Sequence, residues 1–206
     1  MNPKFISIEG IEGAGKSTQL AFIQRYLSDN DKQLTVTREP GGTDLGEQIR
    51  SLLLTPTETG MAVDTELLLM FSARAEHIAQ VINPALSAGS WVLSDRFTDA
   101  TFAYQGGGRG IDQQRIAELA QWTLNGLEPD LTLLFDLPVE LGQQRVLSRN
   151  QGVDRFEQEK VDFFEKVRQC YLQRAQQDPQ RIKIIDASQS IADIELQITR
   201  ILQPLL

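Results

Sequence analysis

The chain has 206 residues, a net charge of -8, 41% hydrophobic residues, one cysteine and one histidine. One domain over 1–206 is expected at this length, large enough to bury roughly 70% of its unfolded surface without disulfides or structural metal. A single Cys excludes an internal disulfide and a Cys-cluster metal site and fits a reducing, cytoplasmic compartment. The acidic balance argues against a broad nucleic-acid face, while leaving room for a phosphate held by a few cations and backbone amides.

The N-terminus lacks the apolar core of a signal peptide, and no apolar run approaches the ~20 residues of a membrane span, so neither is expected. Phe5 to Ile8 reads as a first strand, Gly10 to Gly15 as a loop, and Lys16 to Leu27 as a helix with Leu20, Ile23 and Leu27 on one face. Leu34 to Thr37 is a second strand, closed by Pro40-Gly41-Gly42, and Asp44 caps a helix to Leu54. A long helix is expected from Thr65 to Leu86, apolar on more than one face and with Pro84 near its end. Trp91 to Ser94 is a third strand, Asp112 starts a helix to Leu124, Leu131 to Phe135 is a fourth strand, and Glu140 to Leu147 is helical. Arg149 to Arg155 has no apolar periodicity and reads as a mobile loop. Gln158 to Ala175 is helical, Ile182 to Ile185 a fifth strand, and Ile191 to Leu202 a closing helix. Strands alternating with helices predict an α/β fold with a mostly parallel sheet covered on both faces.

Gly10-Ile11-Glu12-Gly13-Ala14-Gly15-Lys16-Ser17 matches G-x-x-x-x-G-K-[ST] in full, between a strand and a helix. Such a P-loop curls its backbone N–H groups around phosphate oxygens at a helix N-terminus. Lys16 would reach the β/γ-phosphates, and Ser17 would offer its hydroxyl to Mg²⁺. The guanine-reading and switch motifs of Ras-type GTPases are absent, which leaves a compact phosphotransferase whose acceptor site must be found.

Asp95 ends the third strand at the ligand edge of a parallel sheet, where it can serve Mg²⁺, and Arg96 can clamp a phosphate. Arg38 ends the second strand and points to the same edge. Phe71 and Arg74 share a helix face and suit a planar base, although periodicity alone favours a core position for Phe71. Ala103 to Gly110, with Tyr104 and Gln105 among four glycines, reads as a binding loop. Arg145, Arg149 and Arg155 flank the aperiodic segment, as cations on a flap over phosphoryl transfer would. His77 reads as a surface or half-buried residue and Cys170 as a small core residue.

Taken together, Gly10 to Thr18, Thr37-Arg38-Glu39-Pro40-Gly41-Gly42, Asp95-Arg96-Phe97, Ala103 to Gly110 and Asp154-Arg155-Phe156-Glu157 resemble the thymidylate kinase family. The resemblance implies a P-loop kinase fold with a five-stranded parallel sheet and a short lid over about 148–156. It implies transfer of the ATP γ-phosphoryl to dTMP with Mg²⁺, giving dTDP for dTTP synthesis, in a cytoplasmic homodimer with no nucleic-acid or membrane partner. Gly10 to Thr18 and Arg145 then hold ATP. Phe71 stacks on thymine, Arg74 reads a carbonyl, and Arg38 and Arg96 surround the transferred phosphate. Thr101 and Gln105 lie near the base, Tyr104 packs on the sugar, and Glu9 and Glu12 lie near the sugar and phosphates. The P-loop carries Glu12 where one version of the family has arginine, so Arg149 takes the catalytic arginine's role and Arg155 anchors the lid. Two other readings stay open: a different nucleotide kinase of the same fold, and an ATP-binding module without catalysis.

Overall fold

The structure, a computed structural model, describes residues 2–56, 58–148 and 155–206. Five strands form one parallel sheet: β1 (Phe5–Glu9), β2 (Leu34–Arg38), β3 (Trp91–Asp95), β4 (Leu131–Asp136) and β5 (Ile182–Asp186), in the order β2-β3-β1-β4-β5. The three middle strands are buried almost throughout, whereas the edge strands β2 and β5 are only partly buried. That burial explains why β1, β3 and β4 read as near-continuous apolar runs.

Helices cover both faces. On one, α1 (Lys16–Asp29) and α9 (Ile191–Leu202) bring Ile23, Leu27, Ile194 and Ile198 against Ile6, Ile8, Leu133 and Phe135. On the other, α3 (Val63–His77) and α6 (Gln113–Leu124) pack Leu67, Phe71 and Ile116 on Phe5 and Val92. Beside them, α8 (Val161–Gln177) packs Val167 and Tyr171 with Leu134 and Ile182. The remaining helices are α2 (Asp44–Leu54), the short α4 (Asn83–Ser87) and α5 (Thr98–Thr101), and α7 (Val139–Leu147). Thr43 caps α2, Asp112 caps α6 and Ser190 caps α9, each by accepting a backbone N–H in the first turn.

Two sequence expectations change. The long helix is not uniform: α3 passes through a π-helical turn, Ile78–Ile82, into α4, with the Asn83 N–H bonded to the Ile78 carbonyl five residues back. Pro84 supplies no backbone donor, and its ring crowds the carbonyl four residues before it. A wider turn just upstream relieves both problems.

The glycine-dense segment is likewise not a loop. Residues Phe102–Gly108 form a second π-helical stretch continuing α5, and they pack closely on α8. Gly107 has no side chain because α8 occupies the space: an added Cβ would stand 2.7 Å from the Cys170 Cβ and 2.9 Å from the Lys166 carbonyl oxygen. Gly107→Ala should therefore destabilise the protein by about 1–3 kcal/mol through overpacking. At this chain length that is a fall of roughly 2–10 °C in melting temperature, measurable by calorimetry; an unchanged Tm would refute the close-packing account.

The register places the chemistry. Ile8 pairs with Asp95 and Arg38 also pairs with Asp95, so the loop after β1 and the Asp95-Arg96 step open side by side at the carboxyl edge.

Candidate active site

The P-loop closes on itself before α1. Gly13 holds φ +77°, and a Cβ there would run into the Gly142 carbonyl on α7. No side chain caps α1, and its first turn carries no acidic residue. Its N-terminus is thus an uncompensated positive end aimed into the crevice. Lys16 is nine-tenths buried and donates to the carbonyls of Gly10 and Ile11 at 2.9 and 3.0 Å. Burial first, and then the neighbouring Arg96 charge, lower its ammonium to about 8, against the pull of Asp95, Glu12 and Glu9. Ser17, exposed, opens onto the same cavity.

Arg96 is the centre of the site. It holds φ +71°, a left-handed conformation that costs a non-glycine residue about 1–3 kcal/mol. Its own backbone fixes that turn: the Arg96 N–H donates to Ile8 and the Ser94 hydroxyl donates to the Arg96 carbonyl. The guanidinium donates to Glu12 at 2.8 Å, to the Tyr104 hydroxyl at 3.0 Å and to the Tyr171 hydroxyl at 3.2 Å, and stacks 4.6 Å over the Tyr104 ring. Tyr104 in turn donates to Glu12 at 2.7 Å. Burial alone would lower Arg96, but Tyr104, Glu12, Tyr171 and Asp95 hold it well above its ordinary value, so it stays charged. Asp95 lies beside it with one carboxylate oxygen, Oδ1, buried and without a hydrogen-bond partner.

The opposite wall is built on α3. Arg74 is buried; its Nε donates to Glu39 at 2.7 Å and its NH2 to the Phe97 carbonyl at 3.2 Å. Its NH1 is buried with no partner. These walls enclose a cavity of about 230 Å³. Glu12 to Ser17, Asp95 and Arg96 line it together with Arg74, Thr101, Tyr104 and Gln105.

Three residues predicted on the acceptor side fall elsewhere, and His77 is buried. Phe71 is turned into the core with Leu67 and Ile78; Met70, one step round the helix, lines the cavity instead. A helix apolar on more than one side offers no periodicity by which to choose between them. Glu9 is wholly buried behind Arg96 and does not face the cavity. It accepts from the Phe97 N–H and the Tyr171 hydroxyl, both at 2.7 Å, and burial followed by the charge of Asp99 pushes its carboxyl up to about 8. Arg38 is half-exposed on the edge strand and pairs with Glu47 at 2.8 Å, outside the cavity wall. His77, expected near the surface, is fully buried between Glu39 and Thr37.

Gly10, Ile11 and Thr18 belong to the P-loop and the first turn of α1 without lining this cavity. Arg145 bridges the Gly13 and Ala187 carbonyls on the P-loop's far side. Arg149 and most of the expected lid, 149–154, lie outside the described residues. Arg155 is tied down: it donates to the Leu53 carbonyl at 2.7 Å and to the buried Glu66 carboxylate at 2.6 Å. Reading the sequence missed Glu39, Arg50, Leu54, Phe97 and Phe156, all of which line the cavity. Glu39, Phe97 and Phe156 stand inside strings singled out above, but nothing in those strings gives a side chain its direction.

The family model for thymidylate kinase matches residues 8–198. A thymidylate kinase of Pseudomonas putida is 56% identical over 206 residues, covering 100% of this chain and 98% of that protein. One of Vesicomyosocius okutanii is 57% identical over 202 residues, covering 98% of each. The crystal structure of a thymidylate kinase from Ehrlichia chaffeensis superposes with a TM-score of 0.78 at 33% identity, over 98% of this chain and 99% of that one. With its P-loop and these relatives matched over almost their whole length, the chain belongs to the thymidylate kinase family.

Proposed function

We infer that the chain transfers the γ-phosphoryl group of ATP to dTMP, giving ADP and dTDP, a step in dTTP synthesis. One observation carries the reading: a single cavity joins the P-loop, with Lys16 and Ser17, to Arg74, whose buried NH1 lacks a partner. A buried N–H donor left unpaired beside a cavity is a group that a base carbonyl would satisfy. Met70 and Phe97 supply apolar surface beside it.

The chemistry asks for positioning and charge rather than a base, because a dTMP phosphate oxygen is already anionic at neutral pH. Lys16 would exchange its two loop carbonyls for β/γ-phosphate oxygens. Arg96, held charged and oriented by Glu12 and Tyr104, would meet the acceptor phosphate and the moving group. Thr101 and Gln105 would border the base, and Tyr104 the sugar. Arg145, bonded to the Gly13 carbonyl, is assigned to the donor-nucleotide side. By the family resemblance Arg149 is assigned to the transferred phosphoryl, while the bonds of Arg155 to Leu53 and Glu66 suit lid anchoring.

The donor set fits Mg²⁺. Among the described residues no cluster of three or more His, Cys, Asp or Glu holds a metal by itself. A P-loop Mg²⁺ draws most of its ligands from phosphate and water and needs one hydroxyl and one carboxylate nearby. Ser17 and the unpartnered Asp95 Oδ1 are those groups. The ion, when bound, neutralises charge on the β- and γ-oxygens.

By the family resemblance the chain is assigned a homodimer. Among the described residues no helix is long and apolar enough to cross a membrane. The one cysteine, free and buried, suits the cytoplasm.

ADP release measured with ATP, Mg²⁺ and a panel of monophosphates tests the assignment. Release should depend on dTMP and exceed that with AMP or dCMP. Preference for another acceptor would overturn the substrate, and ATP binding without release would overturn the activity.

A further inference from the structure

We propose that His77, which does not line the cavity, is a positioning residue that keeps Arg74 selective for a 4-carbonyl pyrimidine over a 4-amino one. The proposal rests on the reading above that the acceptor base lies beside Arg74.

A buried chain of hydrogen bonds carries it. His77 Nδ1 stands 2.9 Å from Glu39 Oε1, and Arg74 Nε donates to the other oxygen, Oε2, at 2.7 Å. His77 Nε2 stands 2.6 Å from the Thr37 hydroxyl. A carboxylate only accepts, so Nδ1 carries the proton facing Glu39; in the neutral ring Nε2 then accepts from Thr37. Thr37 thus fixes His77, and His77 fixes the plane of the Glu39 carboxylate.

The consequence lies in what Glu39 is prevented from doing. Left alone, a carboxylate beside an arginine takes two parallel N–H donors at once. His77 holds the carboxylate by Oε1, in an orientation that meets Arg74 through Nε. The Phe97 carbonyl takes NH2, and the Phe71 and Phe97 rings pack at 5.1 and 5.4 Å from the guanidinium carbon. NH1 is left as a buried donor without a partner. A 4-carbonyl satisfies it, whereas a 4-amino group sets donor against donor. Without His77 the carboxylate plane is free to turn to the side-on pair of Nε with NH2, which draws NH2 from the Phe97 carbonyl and rotates the guanidinium, NH1 included, away from the base.

The test is the ratio of kcat/KM for dTMP to that for dCMP. His77→Leu should lower this ratio by about tenfold or more, through a raised KM for dTMP and with kcat for dTMP within about threefold of wild type. His77→Asn, which keeps a donor near Nδ1, should recover most of it. Thr37→Val acts from the far end of the chain and should shift the ratio the same way, more weakly; it carries the test should His77→Leu fail to fold. A merely structural His77 would lower Tm and the active fraction yet leave the ratio unchanged, because one active population reads both substrates. An unchanged ratio in folded His77→Leu, or in Thr37→Val where His77→Leu does not fold, overturns the proposal. A wild-type protein that fails to phosphorylate dTMP overturns the activity itself, independently of His77.

Discussion

Lys16→Ala should reduce turnover by about 10²–10³-fold or more, with the fold intact, because it deletes a preorganised charge aimed at the transferred phosphate. The side chain is nine-tenths buried, and among the described residues it bonds to the Gly10 and Ile11 carbonyls of its own loop. Its loss removes nothing from the three core clusters on the sheet, so thermal unfolding should move by no more than a few degrees. A linked pH effect follows from the same environment. Lys16 is lowered to about 8 by burial and by Arg96, and phosphate anions would raise it again. Phosphate is half ionised near pH 6 and almost fully ionised by about pH 8, so above that it contributes little further change. Binding ATP should therefore take up a proton above pH 8, and ATP affinity should weaken as pH rises past 8. Calorimetric titration in buffers of different ionisation enthalpy measures that uptake, which Lys16→Ala should abolish. Turnover within a few-fold of wild type in Lys16→Ala would remove the lysine from the mechanism.

The parts of this site that were legible in the sequence are those fixed by backbone. A P-loop is a run of adjacent residues whose glycines and helix start dictate its shape, so Gly10 to Ser17 could be placed at once. Asp95 and Arg96 were legible because a strand's end in a parallel sheet has one destination. Side-chain direction within a helix was not. Met70 and Phe71 are both large and apolar, and only the position of β1 and β3 decides that Phe71 faces Phe5 while Met70 faces the cavity. Buried charge was also hidden. Glu9, Glu39, Glu66 and His77 are types that usually face water, and their burial depends on partners 35 to 162 residues away: Tyr171, Arg74, Gln105 and Thr37. Gly107 misled for a different reason. Glycine signals a turn from its backbone freedom, but here it signals the absence of a side chain where α8 comes close.

Arg96→Ala should reduce kcat/KM for dTMP by about 10²–10³-fold, and Arg96→Lys should restore stability far better than activity. The two variants separate charge from shape. Arg96 serves three acceptors from one planar group: Glu12, Tyr104 and Tyr171. Alanine leaves the Glu12 carboxylate without its cation in a pocket where that side chain is only 18% exposed, and breaking a pair so placed costs up to about 3–5 kcal/mol. It also frees the Tyr171 hydroxyl, whose other bond holds Glu9. Alanine gains nothing at the backbone, because the left-handed φ of +71° is as costly for it as for arginine. Lysine returns the positive charge to Glu12 and so most of the folding energy. It cannot span Glu12, Tyr104 and Tyr171 while presenting two N–H groups to a phosphate, since its ammonium is a point with three rotatable donors. The expected result is an Arg96→Lys protein that melts within a few degrees of wild type and turns over at roughly a tenth of its rate or less. Denaturation and steady-state kinetics on the same preparations measure both. Full activity in Arg96→Lys would mean that Arg96 supplies only charge, and that the Glu12–Tyr104–Tyr171 cradle serves the fold and not the transfer.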